Sequence, residues 1–153
     1  RAERLYTDEE KVELAERKNN YYKEYIKKLT KDDILNGVNE NLAELKAKGI
    51  KVAIGSSSKN TPDILKYIGL DNYFDAVSDG NNITKSKPDP EVFLKAADML
   101  GVPYEKCLVV EDADSGIEAG KRAGMYTLAV NNAKGADYSL ADLSAGKITD
   151  YIN

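Results

Sequence analysis

From Gly37 onward, short apolar runs rich in β-branched residues alternate with amphipathic segments of helical spacing, and this alternation most constrains the fold. Residues 50–54, 74–77, 107–110 and 125–130 read as strands, the second weaker than the others. They are apolar along their length rather than at every second position, which is the pattern of strands covered on both faces. The intervening segments carry helix punctuation. Val38, Leu42 and Leu45 fall at i, i+4, i+7, and Gly49 suits the left-handed position that closes a helix. Thr61-Pro62 opens the next helix, with Pro at its first position, and Gly69 ends it. Asp89-Pro90 opens a third that ends at Gly101, and residues 115–123 form a fourth closed by Gly124. Residues 138–152 add one more short strand or helix. The expected fold class is α/β, a doubly wound parallel sheet.

The first third of the chain differs. Thr7 and Glu10 have capping-box spacing. Val12, Ala15, Tyr22, Tyr25, Ile26 and Leu29 fall near one helical face, with no Pro or Gly between residues 7 and 36. One long helix packing a single stripe is expected there.

Composition removes several kinds of chemistry. The 153 residues contain no histidine, which excludes Ser-His-Asp and Cys-His catalysis and His-ligated zinc. Cys107 is the one cysteine, so neither a disulfide framework nor a cysteine metal cluster can form, and a reducing, cytoplasmic location is expected. No apolar run approaches the ~20 residues of a membrane-spanning helix. A net charge of −4 gives no basic footprint for nucleic acid. The opening Arg1-Ala2-Glu3-Arg4-Leu5 is unlike a signal peptide and does not begin with Met, so a cut edge with sequence upstream is expected.

Right-handed crossovers place the carboxyl ends of all strands on one edge, where such folds bind ligands. Three loops leave toward it. The first, Gly55-Ser56-Ser57-Ser58-Lys59-Asn60, offers hydroxyls and N–H groups just before a helix, an arrangement that cradles an anion or simply caps the helix. In the second, Lys85-Ser86-Lys87-Pro88-Asp89-Pro90, the proline after Lys87 holds that lysine in extended backbone, either as a point charge for a phosphate or as a solvated side chain. The third, Glu111-Asp112-Ala113-Asp114, puts three carboxylates in four residues at a strand end. Capping by Asp114 or Ser115 needs only one of them, whereas an oxygen-only cluster suits Mg²⁺ or Ca²⁺. Together, hydroxyls, a lysine and paired carboxylates suit Mg²⁺-assisted phosphoryl chemistry, which works by positioning and charge neutralisation.

These residues resemble the haloacid dehalogenase superfamily. Ser56 after a strand, Lys87-Pro88-x-Pro90-x-x-Phe93, and Glu111-Asp112 with Gly116-Ile117-Glu118-Ala119 and Ala123-Gly124-Met125 look like its second, third and fourth motifs. Arg17-Lys18-Asn19 and Ser56-Ser57-Ser58-Lys59-Asn60 narrow the likeness to its β-phosphoglucomutase subfamily. The resemblance implies interconversion of β-glucose 1-phosphate and glucose 6-phosphate through glucose 1,6-bisphosphate and an aspartyl-phosphate. It implies that Ser56 hydrogen-bonds the transferring phosphoryl group and Lys87 bridges it to the nucleophile. Glu111 and Asp112 would hold Mg²⁺. Ser57, Ser58, Lys59 and Asn60 would bind substrate or phosphate, and Lys18 and Asn19 would reach the sugar phosphate from a helical cap.

Two departures accompany the likeness. Ala113 stands where relatives often carry a hydroxyl. No Asp-x-Asp-Gly-Thr motif, the family's source of nucleophile and acid/base, occurs in the sequence, and Asp112-x-Asp114-Ser115 mimics only its spacing. The expected organisation is therefore residues 1–34 as the C-terminal part of a cap and 35–153 as a core lacking its first strand. An upstream segment, in cis or as a fragment, would supply the nucleophile and complete an otherwise monomeric fold; the chain by itself is expected to be inactive. Two alternatives stay open: a sugar-phosphate phosphatase, and a non-catalytic phosphate-binding chain.

Overall fold

A computed structural model describes residues 37–152. In chain order the elements are α1 (Val38–Ala47), β1 (Ala53–Gly55), α2 (Thr61–Tyr67), β2 (Ala76–Ser78), α3 (Glu91–Leu100), β3 (Leu108–Glu111), α4 (Asp114–Arg122), β4 (Tyr126–Ala129) and β5 (Tyr138–Ser139), with short 3₁₀ turns at Tyr104–Lys106 and Ile148–Tyr151. The long helix and cap expected over the first third lie outside the described residues.

All four α-helices among the described residues stop the same way. Gly49, Gly69, Gly101 and Gly124 take φ of 72, 79, 68 and 78°, a left-handed backbone that a Cβ penalises. The residue after each donates back five positions, as Ile50 N does to Leu45 O at 3.0 Å, Leu70 N to Leu65 O at 2.7 Å, Val102 N to Ala97 O at 3.2 Å, and Met125 N to Gly120 O at 3.1 Å. Each glycine N–H also donates back three positions, as Gly49 N does to Lys46 O at 3.0 Å, and this double closure is the Schellman motif. It also explains why strands begin later than the apolar runs suggest. Ile50 and Met125 complete a helix end and join the sheet only through the residues that follow. Helix α2 begins one residue ahead of its proline, at Thr61.

Every strand pairing among the described residues is parallel, as the alternation implied. β1 pairs with β2 (Ala53↔Ala76, Gly55↔Ser78), and β3, β4 and β5 pair in that order (Leu108↔Tyr126, Glu111↔Ala129, Leu128↔Tyr138). Among the described residues these are two sheets, β1-β2 and β3-β4-β5. Apolar layers cover both faces. Val109 packs with Val92, Phe93, Ala97, Ala119, Ala123 and Met125 of α3, α4 and the α4–β4 turn. Its neighbours Leu108 and Val110 face the other way, into a cluster of Leu45, Val52, Leu128 and Ile148. That alternation is the two-residue period of a strand.

The tail resolves into both of the elements the sequence left open, one strand and one 3₁₀ turn. Buried Asn41 ties it to α1: its amide donates to Gly37 O at 2.8 Å and Leu143 O at 3.0 Å, and its carbonyl accepts Ile148 N at 2.7 Å. No helix among the described residues is long and apolar enough to cross a membrane.

Burial is uneven. Thr127, Leu128 and Ala129 of β4, paired on both sides, are 0–1% exposed, whereas Ala53–Gly55 of β1 is only half-buried. Leu128→Ala in the full-length protein is expected to lower unfolding free energy by about 2–5 kcal/mol, the cost of a core cavity. Urea titration checks this.

Candidate functional site

The carboxyl ends of β1 and β3 meet through one side chain. Lys87, in the loop before α3, donates its Nζ to Gly55 O at 3.0 Å and to Glu111 Oε2 at 2.6 Å. The two charged side chains are 17% and 12% exposed. The ammonium also lies 4.9 Å from the centroid of the Phe93 ring, within cation–π range. Lys87 is thus held by a strand-end carbonyl, a carboxylate and an aromatic face.

Two close approaches make this possible. A Cβ on Gly55 would sit 2.7 Å from the Phe93 ring, so glycine there lets the ring come up beneath the lysine. A Cβ on Gly116 would land inside the Glu111 side chain, so the first turn of α4 must be bare for that carboxylate to lie across it.

The serine loop is built on local turns. Ser56 N donates to Ser78 O at 3.0 Å, continuing the β1–β2 ladder by one residue. Ser56 Oγ accepts Ser58 N at 3.2 Å, and Ser58 Oγ accepts Asn60 N at 3.1 Å, successive hydroxyl turns leading into α2. Ser57 Oγ lies 3.5 Å from Lys87 N, joining this loop to the lysine loop. Lys59 is exposed and Asn60 buried. Asp112 is exposed beside Glu111, and its N–H donates to Glu111 Oε1 at 3.3 Å. Ser56, Ser57, Lys87, Glu111 and Asp112 therefore lie at one edge, with Ser58, Lys59 and Asn60 following in the serine loop. Lys18 and Asn19 lie outside the described residues.

Asp114 belongs elsewhere. Helix α4 has Ala113 at its N-cap and no side-chain cap, so neither Asp114 nor Ser115 caps it. Asp114 Oδ1 instead accepts Lys134 N at 2.8 Å, tethering the loop after β4. Asp137 secures the same loop by accepting Thr127 N at 2.9 Å and Thr127 Oγ1 at 3.1 Å. The cluster divides into two carboxylates at the site and one that holds a neighbouring loop. Among the described residues no three acidic or cysteine side chains gather as a metal cage. Glu111 and Asp112 offer hard oxygen donors, and a pair of carboxylates with phosphate and water is what Mg²⁺ takes. The donor set fits that ion. Burial pushes the Cys107 thiol up, with Glu105 adding to the shift, so Cys107 offers no ready thiolate.

A profile for haloacid dehalogenase-like hydrolases matches residues 2–130. The chain belongs to that family. It is 44% identical over 139 residues to a β-phosphoglucomutase of Bacillus subtilis, covering 89% of this chain and 62% of the relative. A solved β-phosphoglucomutase from Clostridium difficile superposes with a TM-score of 0.87 at 36% identity, covering 95% of this chain and 67% of that one. These similarities support the β-phosphoglucomutase subfamily. A phosphorylated carbohydrates phosphatase of Thermotoga maritima is 40% identical over 91 residues, 58% of this chain and 42% of its own. The chain spans less than two thirds of the length of the Bacillus relative.

Some of the supports of this haloacid dehalogenase-like edge escaped the sequence reading. Asp79-Gly80-Asn81-Asn82, the loop after β2, carries a buried carboxylate at Asp79. Asp79 Oδ1 accepts Asn81 N at 2.8 Å, Gly80 N donates to Ser58 O at 3.1 Å, and Asn81 Nδ2 donates to Lys59 O at 3.0 Å. The loop after β2 braces the serine loop. The Asp-x-Asn turn spacing was the available signal. Gly116→Ala should displace the Glu111 carboxylate and cost about 1–3 kcal/mol of stability, as overpacking does. Ser115→Ala, exposed one residue earlier, should stay within about 0.5 kcal/mol. Denaturant unfolding of both variants tests the difference.

Proposed function

We propose that this chain is the larger part of a cytoplasmic β-phosphoglucomutase, converting β-glucose 1-phosphate to glucose 6-phosphate through glucose 1,6-bisphosphate and an aspartyl-phosphate. The observation that carries the reading is Lys87, held between Gly55 O and Glu111 Oε2 beside the serine loop. An ammonium fixed there can neutralise a phosphoryl oxygen without reorganising, which is where such catalysis gains most. Ser56 already accepts Ser58 N, so its own O–H is the group to donate to the same phosphoryl group. Ser57, Ser58, Lys59 and Asn60 line the approach of the sugar phosphate, and Lys18 and Asn19 select it from the cap. Glu111 and Asp112 would hold Mg²⁺, which supplies charge neutralisation for the transferring phosphoryl group.

The nucleophilic aspartate belongs, in this proposal, to an Asp-x-Asp strand seated between β1 and β3, supplied by a segment outside residues 1–153. Half-buried Ile54, Leu108 and Val110 support that placement, because interior strands of a doubly wound sheet are otherwise covered. Residues 1–34 are then the end of the cap and 35–153 the core. The chain Arg1–Asn153 alone should be inactive and melt without a sharp transition, and adding the strand-bearing segment should restore cooperativity in calorimetry.

A sugar-phosphate phosphatase is the second reading, favoured by the similarity to the Thermotoga phosphatase. Incubating the full-length protein with β-glucose 1-phosphate and catalytic glucose 1,6-bisphosphate separates them. Glucose 6-phosphate is expected, while inorganic phosphate without it rejects the mutase. Asp112→Asn should slow turnover by about 10²-fold or more and weaken Mg²⁺ binding, as loss of a charge-stabilising group does. Lys87→Ala should slow turnover comparably with little change in fold. Near-normal turnover of either variant at ordinary Mg²⁺ removes that residue from the mechanism.

A further inference from the structure

Glu91 occupies one of the unassigned positions of the Lys87-Pro88-x-Pro90-x-x-Phe93 stretch. An acidic residue in a helix's first turn is ordinarily explained by the helix dipole. Its contacts here run elsewhere. Helix α3 has Pro90 at its N-cap and no side-chain cap. Glu91 Oε1 instead accepts the N–H of Thr84 and, at 3.1 Å, that of Lys85, while Oε2 accepts Thr84 Oγ1 at 2.9 Å. One carboxylate thus grips two residues six and seven positions upstream. These hydrogen bonds, the Thr84 N–H first, hold the Glu91 carboxyl below the usual carboxylate range.

The grip closes a loop with Lys87 at its middle. Inside it, Asp89 N donates to Ser86 O at 3.0 Å and Asp89 Oδ1 accepts Glu91 N at 3.0 Å. One turn further along α3, Lys95 Nζ donates to Asn82 O, extending the hold upstream. Asn82 Oδ1 accepts Asp79 N at 2.8 Å, and Asn81 donates to Lys59 O, so the segment continues to the serine loop.

We infer that Glu91 is a positioning residue: by clamping Thr84 and Lys85 it sets the loop that places Lys87 between Gly55 and Glu111. The inference rests on the reading of Lys87 as the phosphate-binding lysine, and its test keeps a readout independent of turnover. In the full-length protein, Glu91→Ala and Glu91→Gln are compared by three measurements. These are amide exchange at Thr84 and Lys85, the acylation rate of the Lys87 amine by an N-hydroxysuccinimide ester read by mass spectrometry, and steady-state kinetics on β-glucose 1-phosphate.

Glu91→Ala should speed both exchange and Lys87 acylation by about tenfold, as expected when a local opening becomes cheaper. Turnover should fall by about tenfold in kcat with KM little changed, since a misplaced group costs up to ~10²-fold. Glu91→Gln keeps an acceptor oxygen and should recover most of each effect. Amide exchange at Thr127, Leu128 and Ala129 should not move. Unchanged Lys87 acylation in Glu91→Ala, despite faster exchange at Thr84 and Lys85, overturns the inference. So does an equal rise in β4 exchange, which marks general destabilisation. If the wild-type protein turns over no sugar phosphate, the proposed function fails while the acylation comparison still decides the role of Glu91.

Discussion

The Lys87–Glu111 ion pair is the contact around which the carboxyl edge is organised. It spans the two parallel sheets at the ends of β1 and β3, with the lysine also bonded to a β1 carbonyl. Drawing two charges largely out of water costs several kcal/mol, which mutual attraction only partly returns. Its value here is therefore placement rather than stability. Other local choices accommodate it: a bare Gly116 beneath Glu111, a bare Gly55 beside Phe93, and the Phe93 ring under the ammonium.

A second principle runs through the loops. The segments bordering the edge are fixed by side chains that accept backbone N–H groups rather than by regular structure. Asp114 holds Lys134, Asp137 holds Thr127, and Asp79 turns the loop that braces Ser58 and Lys59. In a chain without histidine, carboxylates serve both as candidate phosphoryl-site chemistry and as the fasteners that shape it. A hydrogen bond to a charged group contributes about 1.5–3 kcal/mol, and less where it is exposed. Their joint effect is to narrow the conformations open to Ser56, Lys87 and Glu111.

Much of the fold was legible along the chain. Helix stops were plain because a left-handed cap needs glycine, and all four sites have it. Parallel pairing followed from apolar strands separated by helices. Strand starts were less legible, since the apolar residue after each glycine serves the helix closure first, as Ile50 does with Leu45. The grouping of Ser56, Lys87, Glu111 and Asp112 was readable from the rule that strand carboxyl ends share an edge. The division of labour in Glu111-Asp112-Ala113-Asp114 was not. Whether Asp114 faces the site or Lys134 depends on where the loop after β4 returns, and nothing near Asp114 in sequence encodes that.

The sequence by itself determined the α/β class, the parallel strand direction, the helix ends and the chemical character of the edge. These depend on residue type and local spacing, which act within a few residues. Only the tertiary structure decided that Lys87 pairs with Glu111, that Asn41 anchors a tail a hundred residues away, and that Asp79 and Asn81 brace the serine loop. Those contacts join segments brought together by sheet packing. Their partners are chosen by distance and desolvation in three dimensions, which one-dimensional spacing does not carry.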